Sequence, residues 1–410
     1  MSSNSTQTRC YPEDHLLLMG NLEKYINNYI FPIQFLITVI GNLLTMSVLL
    51  SAHMKNRANH ILACLALCDI LVFVMMFSHY LASIDFFSQS VDFRLFHFHT
   101  KVHFAALTNW FSAAAIWFIL AVSIERLMII KYPFRSLEAY NSKRVFLLTS
   151  SIFTLTFILT SYHHVSHTCL SWIVCNETQA VGICFPNVMD SFGRRPNPTS
   201  SLVKTWINIS IYLNAGFAVL LPIIAVAIIN ISLIRLLKRR NNEELILNNV
   251  NMNTTTLHEQ EKKMTNTVLA IVSCFSLTQG PSALVFTLHR LYPNAPVMRD
   301  ISIIANQLVL TGKMLNVVLF CLTSESFRKK MMHTCRCWML MIFYCDRSKA
   351  RWRISREQSK SIVTQKTSIV YSPSGRTRRV SALSDSISMR TQVQREIVDS
   401  PLVSSRSQQS

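Results

Sequence analysis

The sequence predicts an all-α membrane protein, a bundle of seven membrane-spanning helices with a short amphipathic helix after the last span. Half of the 410 residues are apolar and only 15% are charged, whereas a soluble protein of this length usually carries about 25% charged residues. Seven apolar stretches are also long enough to cross a bilayer, which takes about 20 mostly apolar residues in a helix. Their continuous hydropathy favours helices over a closed barrel, the other structure that can span lipid.

The predicted spans divide the chain into an N-terminal segment (1–29), a seven-helix domain with the amphipathic helix (30–334) and a tail (335–410). The N-terminal segment lacks the short apolar core of a cleavable signal peptide, so the first span is expected to insert and to stay. Lys313 makes the seventh span weaker on hydropathy alone. The spans cover residues 30–52, 59–84, 102–130, 145–165, 205–234, 266–289 and 300–322.

The distribution of basic residues predicts the orientation. Lys and Arg concentrate after spans one, three and five, as they do in cytoplasmic loops. The N-terminus is therefore expected outside the cell and the C-terminus in the cytoplasm, in the plasma membrane. The glycosylation sequons at Asn4 and Asn176 then lie outside. The net charge of +19 is interpreted as this topology signal, and no nucleic-acid partner is predicted.

The cysteines divide by the predicted compartment. Four are expected outside, where disulfides persist, and four thiols allow three connectivities, among which the sequence does not choose. Three follow the last span, where palmitoylation could anchor the chain; free thiols are the alternative. The external four are Cys10, Cys169, Cys175 and Cys184, and the cytoplasmic three are Cys335, Cys337 and Cys345.

Short motifs on the predicted spans carry a resemblance to a known family. They are Gly41-Asn42, Leu65-Ala66-Leu67-Cys68-Asp69, Glu125-Arg126-Leu127, Pro222, Pro281 and Asn316-Val317-Val318-Leu319-Phe320. In order and spacing, over about residues 30–330, the chain resembles the rhodopsin-like (class A) G-protein-coupled receptors. The resemblance implies a receptor and not an enzyme, with an extracellular ligand, a heterotrimeric G protein and no cofactor. Residues 113–118 also resemble invertebrate myosuppressin-type and sex-peptide-type receptors, which implies a neuropeptide ligand.

Several positions depart from the family pattern. Leu127, Gln279, Val317 and Phe320 stand where the family usually has Tyr, Trp, Pro and Tyr, and Lys101 stands where a Cys usually opens span three. These changes leave the predicted fold intact. They put in doubt the usual activation switches and the usual disulfide.

A polar site is predicted inside the bundle, from Asn42, Asp69, Lys313 and Asn316. An ionised group within an apolar span is usually paired or functional. The resemblance implies a sodium ion at Asp69, but Lys313 lies one turn before Asn316 and should face the same interior. Its ammonium could therefore replace the ion. The alternative is that Lys313 reaches water in the cavity.

The predicted G-protein contact lies at the cytoplasmic ends of spans three and six. The resemblance implies that Glu125 and Arg126 form it, and that Arg126 bridges to Glu261 in the resting receptor. A guanidinium fork suits a carboxylate. Two solvated charges are the alternative, since exposed pairs contribute little.

The loop at about residues 166–204 is long, and Arg94 and other basic and aromatic residues near it suit a peptide ligand. Histidines also cluster here. His99 and His103 would share one helix face, so a zinc site is an alternative to hydrogen-bonded interface histidines. No metal is predicted.

The C-terminal region predicts membrane and regulatory contacts. Residues 324–334 fit an amphipathic helix whose Phe327, Met331 and Met332 face lipid. The tail beyond is rich in Ser, Thr, Arg and Gln, so most of it is expected to be disordered. Ser381 follows two arginines as in a basophilic kinase site, and its phosphate could recruit arrestin-like proteins. The basic tail could also hold anionic lipid.

Rival functions are a receptor for a non-peptide ligand, a seven-span transporter and a ligand-independent scaffold. A transporter would use Asp69 and Lys313 as a charge relay, and internal inverted repeats would support it. The sequence contains no such repeats that we recognise. The scaffold is suggested by the altered motif positions Leu127, Gln279 and Val317.

Overall fold

The computed structural model describes the chain at residues 10–12, 16–51, 56–132, 141–193, 195–247, 270, 272–285, 288, 297–323 and 327–339. All of these belong to the first of two units, which covers Met1–Met339; the second unit is Leu340–Ser410. The predicted sites Asn4, Glu261, Cys345 and Ser381 lie outside the described residues.

The described residues form a helical bundle. The helices are α1 (Asn21–Leu49), α2 (Arg57–Leu81), α3 (Val91–Lys131), α4 (Ser142–Thr160), α5 (Ser201–Leu213, Asn214–Leu220 and Leu221–Leu247 in succession), α6 (272–285), α7 (Val297–Thr323) and α8 (327–339). Two stretches are π-helical, Ile26–Ile30 in α1 and Asn214–Leu220 in α5. A one-turn helix, Asp85–Gln89, precedes α3, and a 3-10 helical turn, Ser161–Val165, follows α4.

Six helices within the described ranges are long and apolar enough to cross a membrane, namely α1 to α5 and α7. The described part of the sixth predicted span is helical as well. The predicted all-α membrane fold is confirmed. Helices α1 to α5 and α7 begin before their predicted spans, and the difference is largest for two of them: α1 starts at Asn21 and not at 30, and α3 starts at Val91 and not at 102. The Ser90 side chain caps α3 by accepting a hydrogen bond from the Phe93 N–H.

An antiparallel hairpin follows α4. Strand β1 (His167–Val174) pairs with β2 (Gln179–Pro186), and Cys169 lies opposite Cys184. A smaller pair, β3 (Ser191–Phe192) and β4 (Arg195–Pro196), follows. The sequence predicted only a long loop for this region. We call the end of the bundle that contacts the hairpin the hairpin end, and the opposite end the Arg126 end.

The apolar core is centred on α3. Phe118 and Val122 of α3 are buried in one cluster with Ile61 and Leu65 of α2 and Val226 of α5. Because lipid tails are as apolar as these side chains, helices in a membrane associate mainly through close packing. The core therefore depends on shape more than on the apolar area that it removes from lipid.

Glycines allow α7 to approach its neighbours. A Cβ added to Gly41 of α1 would overlap Val317 of α7, and a Cβ added to Gly312 of α7 would overlap Thr278 of α6. Small residues at such contacts are typical of membrane helices. Both neighbours of α7 thus pack against it at a position where a larger side chain does not fit.

Helix α8 packs partly against the bundle. Phe327 is buried and belongs to the central cluster, with Met331 against it, so the prediction that Phe327 faces lipid was wrong. The apolar periodicity correctly predicted a helix with one apolar face. Periodicity does not show whether that face contacts lipid or protein. Met332 is exposed, as are Arg328 and Lys329.

Candidate functional site

The candidate site begins with an ion pair in the interior of the bundle. The Lys313 Nζ of α7 donates to Asp69 Oδ1 of α2 at 2.9 Å, and both side chains are almost fully buried, with exposed fractions of 4% and 1%. The Asn316 Nδ2 donates to the other carboxylate oxygen, also at 2.9 Å. The spacing of three residues puts Lys313 and Asn316 on one face of α7, so a single helix supplies donors to both oxygens.

This arrangement neutralises the carboxylate without an added ion. Each Asp69 oxygen accepts a strong hydrogen bond, one of them from a cation. The contacts also join α2 to α7 in the interior of the bundle. Since removal of one partner would leave a buried charge uncompensated, a movement of α7 must carry Lys313 and Asp69 together or bring in another partner.

Asn42, the fourth residue of the predicted polar site, is buried on α1, but the structure does not join it to the other three. Its Nδ2 has no hydrogen-bond partner among the described residues. The hydroxyls of Thr38 and Thr45 are likewise buried and unpartnered within the described chain. Spacings of four and three place these residues on one face of α1, which is a polar row next to an otherwise apolar core.

At the Arg126 end, the structure shows a partner for Glu125 that the sequence analysis missed. The Arg57 Nε of α2 lies 3.4 Å from Glu125 Oε2 of α3. Arg126 itself is buried. Its predicted bridge to Glu261 stays a prediction, since Glu261 lies outside the described residues. In the sequence, Arg57 is one of the basic residues after span one, whose distribution predicts the orientation.

At the hairpin end, Arg94 joins three parts of the chain to α3. Its guanidinium donates to the backbone carbonyls of Ala180 in β2, Leu16 in the N-terminal segment and Ser88 in the one-turn helix. Arg94 is 4% exposed. The expectation that Arg94 is available to a peptide ligand was therefore wrong, because its guanidinium is buried and donates to backbone oxygens.

The packing of β2 on α3 explains the glycine in that strand. A Cβ at Gly182 would come within 2.6 Å of the Phe98 ring of α3. The same ring lies beneath two cations, with the Arg94 Cζ 5.9 Å and the Lys101 Nζ 5.4 Å from its centroid. Lys101, which stands at the position of the family's cysteine, thus contacts an aromatic ring on its own helix.

Two disulfides hold the hairpin. Cys169 pairs with Cys184 across the strands, and Cys10 pairs with Cys175 in the turn. Next to the second disulfide, the Tyr11 N–H donates to the Gln179 side chain, whose Nε2 donates back to the Tyr11 carbonyl. The four cysteines predicted to be external thus take one of the three connectivities left open by the sequence, and the N-terminal segment is joined to the hairpin.

The remaining described candidates lie at the surface. Asn176 is exposed in the hairpin turn, where Cys175, Asn176 and Glu177 all have positive φ. Its side chain is therefore sterically open to a glycan. Cys335 and Cys337 lie on α8 with partly exposed side chains, and the Cys337 Sγ is 3.8 Å from His333 Nδ1.

The comparison with known proteins assigns the family. A family model described as the serpentine type 7TM GPCR chemoreceptor Srw matches residues 28–338, from α1 into α8. The chain belongs to the Srw family. Membership establishes a seven-span receptor and not an enzyme, and it argues against the transporter alternative.

Two relatives of this Srw receptor come from Caenorhabditis elegans. A putative G-protein coupled receptor is 37% identical over 328 residues, which cover 77% of this chain and 74% of the relative. Sex peptide receptor-related protein 2 is 24% identical over 343 residues, which cover 78% of this chain and 74% of the relative. Both matches extend well beyond the short motifs used in the sequence analysis.

Proposed function

We propose that this Srw-family protein is a plasma-membrane receptor of the rhodopsin-like type that binds a peptide at the hairpin end and activates a heterotrimeric G protein from the Arg126 end. The observation that carries the orientation is the distribution of cysteines. Both disulfides lie at the hairpin end, whereas the described cysteines of α2, α6 and α8 are free thiols. Because disulfides persist outside the cytosol, the hairpin end faces outward and the C-terminus faces the cytoplasm.

The hairpin also supports a peptide as the ligand. Ala180 and Gly182 belong to the face of β2 that meets α3, so the alternate residues of the strands point to the other face. There Leu170, Trp172 and Ile183 are exposed, and aromatic and apolar side chains of this kind anchor peptides. The second relative is named as a sex peptide receptor-related protein. A small chemical ligand is the second candidate, because the family description is that of a chemoreceptor.

The proposed mechanism of activation follows from the contacts between the helices. A ligand that prefers one arrangement of the helices shifts the population toward it. The ion pair of Asp69 and Lys313 ties α2 to α7, so a rearrangement of α7 is coupled to α2. At the Arg126 end, separation of α6 from α3 would release Arg126 to a G protein. Arrestin-like proteins and anionic lipid are proposed as further partners of α8 and the tail, with glycosylation at Asn4 and Asn176.

The proposal is tested by measuring G-protein activation in cells that express the chain, against a library of amidated neuropeptides and a library of small volatile and water-soluble compounds. A dose-dependent response to one peptide family is expected. Arg126→Ala should abolish it and retain surface expression, which antibody labelling of intact cells measures as the control for folding. A response to small compounds only would show that the ligand is a small chemical compound, the second candidate, and not a peptide.

Orientation is checked separately by antibody labelling of an N-terminal epitope on intact cells. Labelling without permeabilisation is expected. If the epitope becomes accessible only after permeabilisation, the proposed topology is wrong. Surface labelling without any G-protein response in either library would leave the scaffold as the better explanation.

A further inference from the structure

Two imidazole rings from different elements face each other at the hairpin end. His103 lies on α3, and His164 lies in the 3-10 turn that leads from α4 to β1. Their Nδ1 atoms are 3.0 Å apart and their ring centroids 5.3 Å apart. His103 is exposed and His164 is partly exposed, so solvent reaches the contact. Neither ring takes part in the contacts described above.

A neutral imidazole has one nitrogen that donates and one that accepts. The facing Nδ1 atoms therefore share one hydrogen between rings of opposite tautomer, or they jointly hold a cation while both rings carry their hydrogen on Nε2. Two nitrogens in a tetrahedral zinc site are each about 2.05 Å from the metal, and so about 3.3 Å from each other. The observed separation of 3.0 Å needs only a small opening of the rings to reach this geometry.

We propose that His103 and His164 form a binding site for Zn²⁺ or for another divalent transition metal that binds imidazole. As the side chains are placed, no three His, Cys, Asp or Glu residues of the described chain converge on one point. His99 lies one turn before His103 on α3 and is exposed, which makes it the candidate for a third ligand. Two histidines at this spacing on a helix can hold zinc together.

The ligand count determines what kind of site this is. Structural zinc sites take four protein ligands, whereas two or three histidines leave positions to water. The metal therefore exchanges with solvent and acts as a modulator of the fold. It joins α3 to the turn just before β1, so that it fixes the base of the hairpin relative to the bundle. This inference does not depend on the proposed ligand or on G-protein coupling.

The test is thermal unfolding of the purified full-length chain, isolated through a tag without histidine, in buffer with ZnCl₂ or with MgCl₂. Zinc at 100 times its dissociation constant should shift the unfolding equilibrium by about 100-fold, and a chelator should reverse the shift. Mg²⁺ should have no effect, since it prefers oxygen ligands. Any zinc-dependent shift is then assigned by mutation.

His103→Gln and His164→Gln should each abolish the zinc shift, and His99→Gln should reduce it. The control is His60→Gln, which removes a histidine at the opposite end of the bundle and should leave the shift unchanged. If zinc does not shift the unfolding of the wild type, or if zinc shifts the unfolding of both variants as much as that of the wild type, these residues do not form the site. If one of the two variants does not fold, the zinc shift of the other is sufficient to test the site.

Discussion

At the scale of single residues, the ion pair of Asp69 and Lys313 limits what the interior of the bundle tolerates. Burial of a charge without a partner is expensive, whereas replacement of both partners by uncharged side chains is often nearly neutral. The cost of a substitution at this site therefore depends on the other residue. Single and double variants separate the two effects.

Lys313→Met should lower the free energy of unfolding by about 3–5 kcal/mol, because Asp69 is left charged and buried. The double variant Asp69→Asn/Lys313→Met should recover most of the loss. The measurement is thermal unfolding of the purified variants. Because Lys313 stands where the rhodopsin-like resemblance implies sodium, sodium in place of choline should stabilise Lys313→Met more than the wild type. Equal stability of the single and the double variant would show that an unpaired Asp69 does not lower the stability of the bundle.

The sequence predicted the partners of Asp69 better than those of Arg94, for a physical reason. The one-turn spacing of Lys313 and Asn316 is a local property of α7, and their common face follows from helix geometry. Arg94 instead donates to the carbonyl of Ala180, which is 86 residues away in sequence. Every residue has a backbone carbonyl, so the identity of Ala180 does not indicate that it accepts a hydrogen bond from Arg94. The sequence therefore predicted a surface charge where the structure has a buried arginine.

At the scale of elements, hydropathy located the spans but not the ends of the helices. Caps and polar first turns decide where a helix begins: Ser90 caps α3, which starts at Val91 and not at the predicted start of the span, residue 102. The hairpin was missed altogether. Its strands contain two cysteines and its turn a third, with few turn signals in the sequence. The packing of Gly182 against Phe98 of α3 is a contact that the strand sequences do not encode.

The close contact between α1 and α7 gives a prediction at this scale. Gly41→Ala should cost about 1–3 kcal/mol of stability by overpacking against Val317, despite a gain in helix propensity of up to about 1 kcal/mol. Gly41→Ala/Val317→Ala should recover the loss by making room for the added methyl group. Thermal unfolding measures both.

Gly216→Ala is the matched control for this prediction, because nothing lies within 4 Å of a Cβ added at Gly216. It should leave stability unchanged or raise it slightly. A loss from Gly216→Ala as large as that from Gly41→Ala would point to a general effect of glycine removal and not to the contact with Val317.

At the scale of the whole molecule, the hairpin end is where distant parts of the chain are fastened together. Lys101 stands where rhodopsin-like receptors usually have a cysteine at the start of span three, and α3 contains no cysteine that could form a disulfide to the hairpin. Arg94 makes this connection through hydrogen bonds, and Cys10–Cys175 fastens the N-terminal segment instead. Hydrogen bonds therefore connect α3 to the hairpin where rhodopsin-like receptors usually have a disulfide. Of the two disulfides at this end, one spans 165 residues and the other spans 15.

These two disulfides should stabilise the fold by more similar amounts than their loop lengths suggest. The chain-entropy relation gives about 3 kcal/mol for a 15-residue loop and about 2 kcal/mol more for a loop eleven times longer. It assumes a free unfolded chain, but membrane helices that lose their packing stay inserted, which keeps Cys10 and Cys175 near each other. Paired Ser substitutions can remove each disulfide in turn. The stability lost with Cys10–Cys175 should therefore exceed the stability lost with Cys169–Cys184 by less than about 2 kcal/mol. Unfolding of both variants in lipid nanodiscs measures the difference, and a larger excess would mean that the spans separate on unfolding as a free chain does.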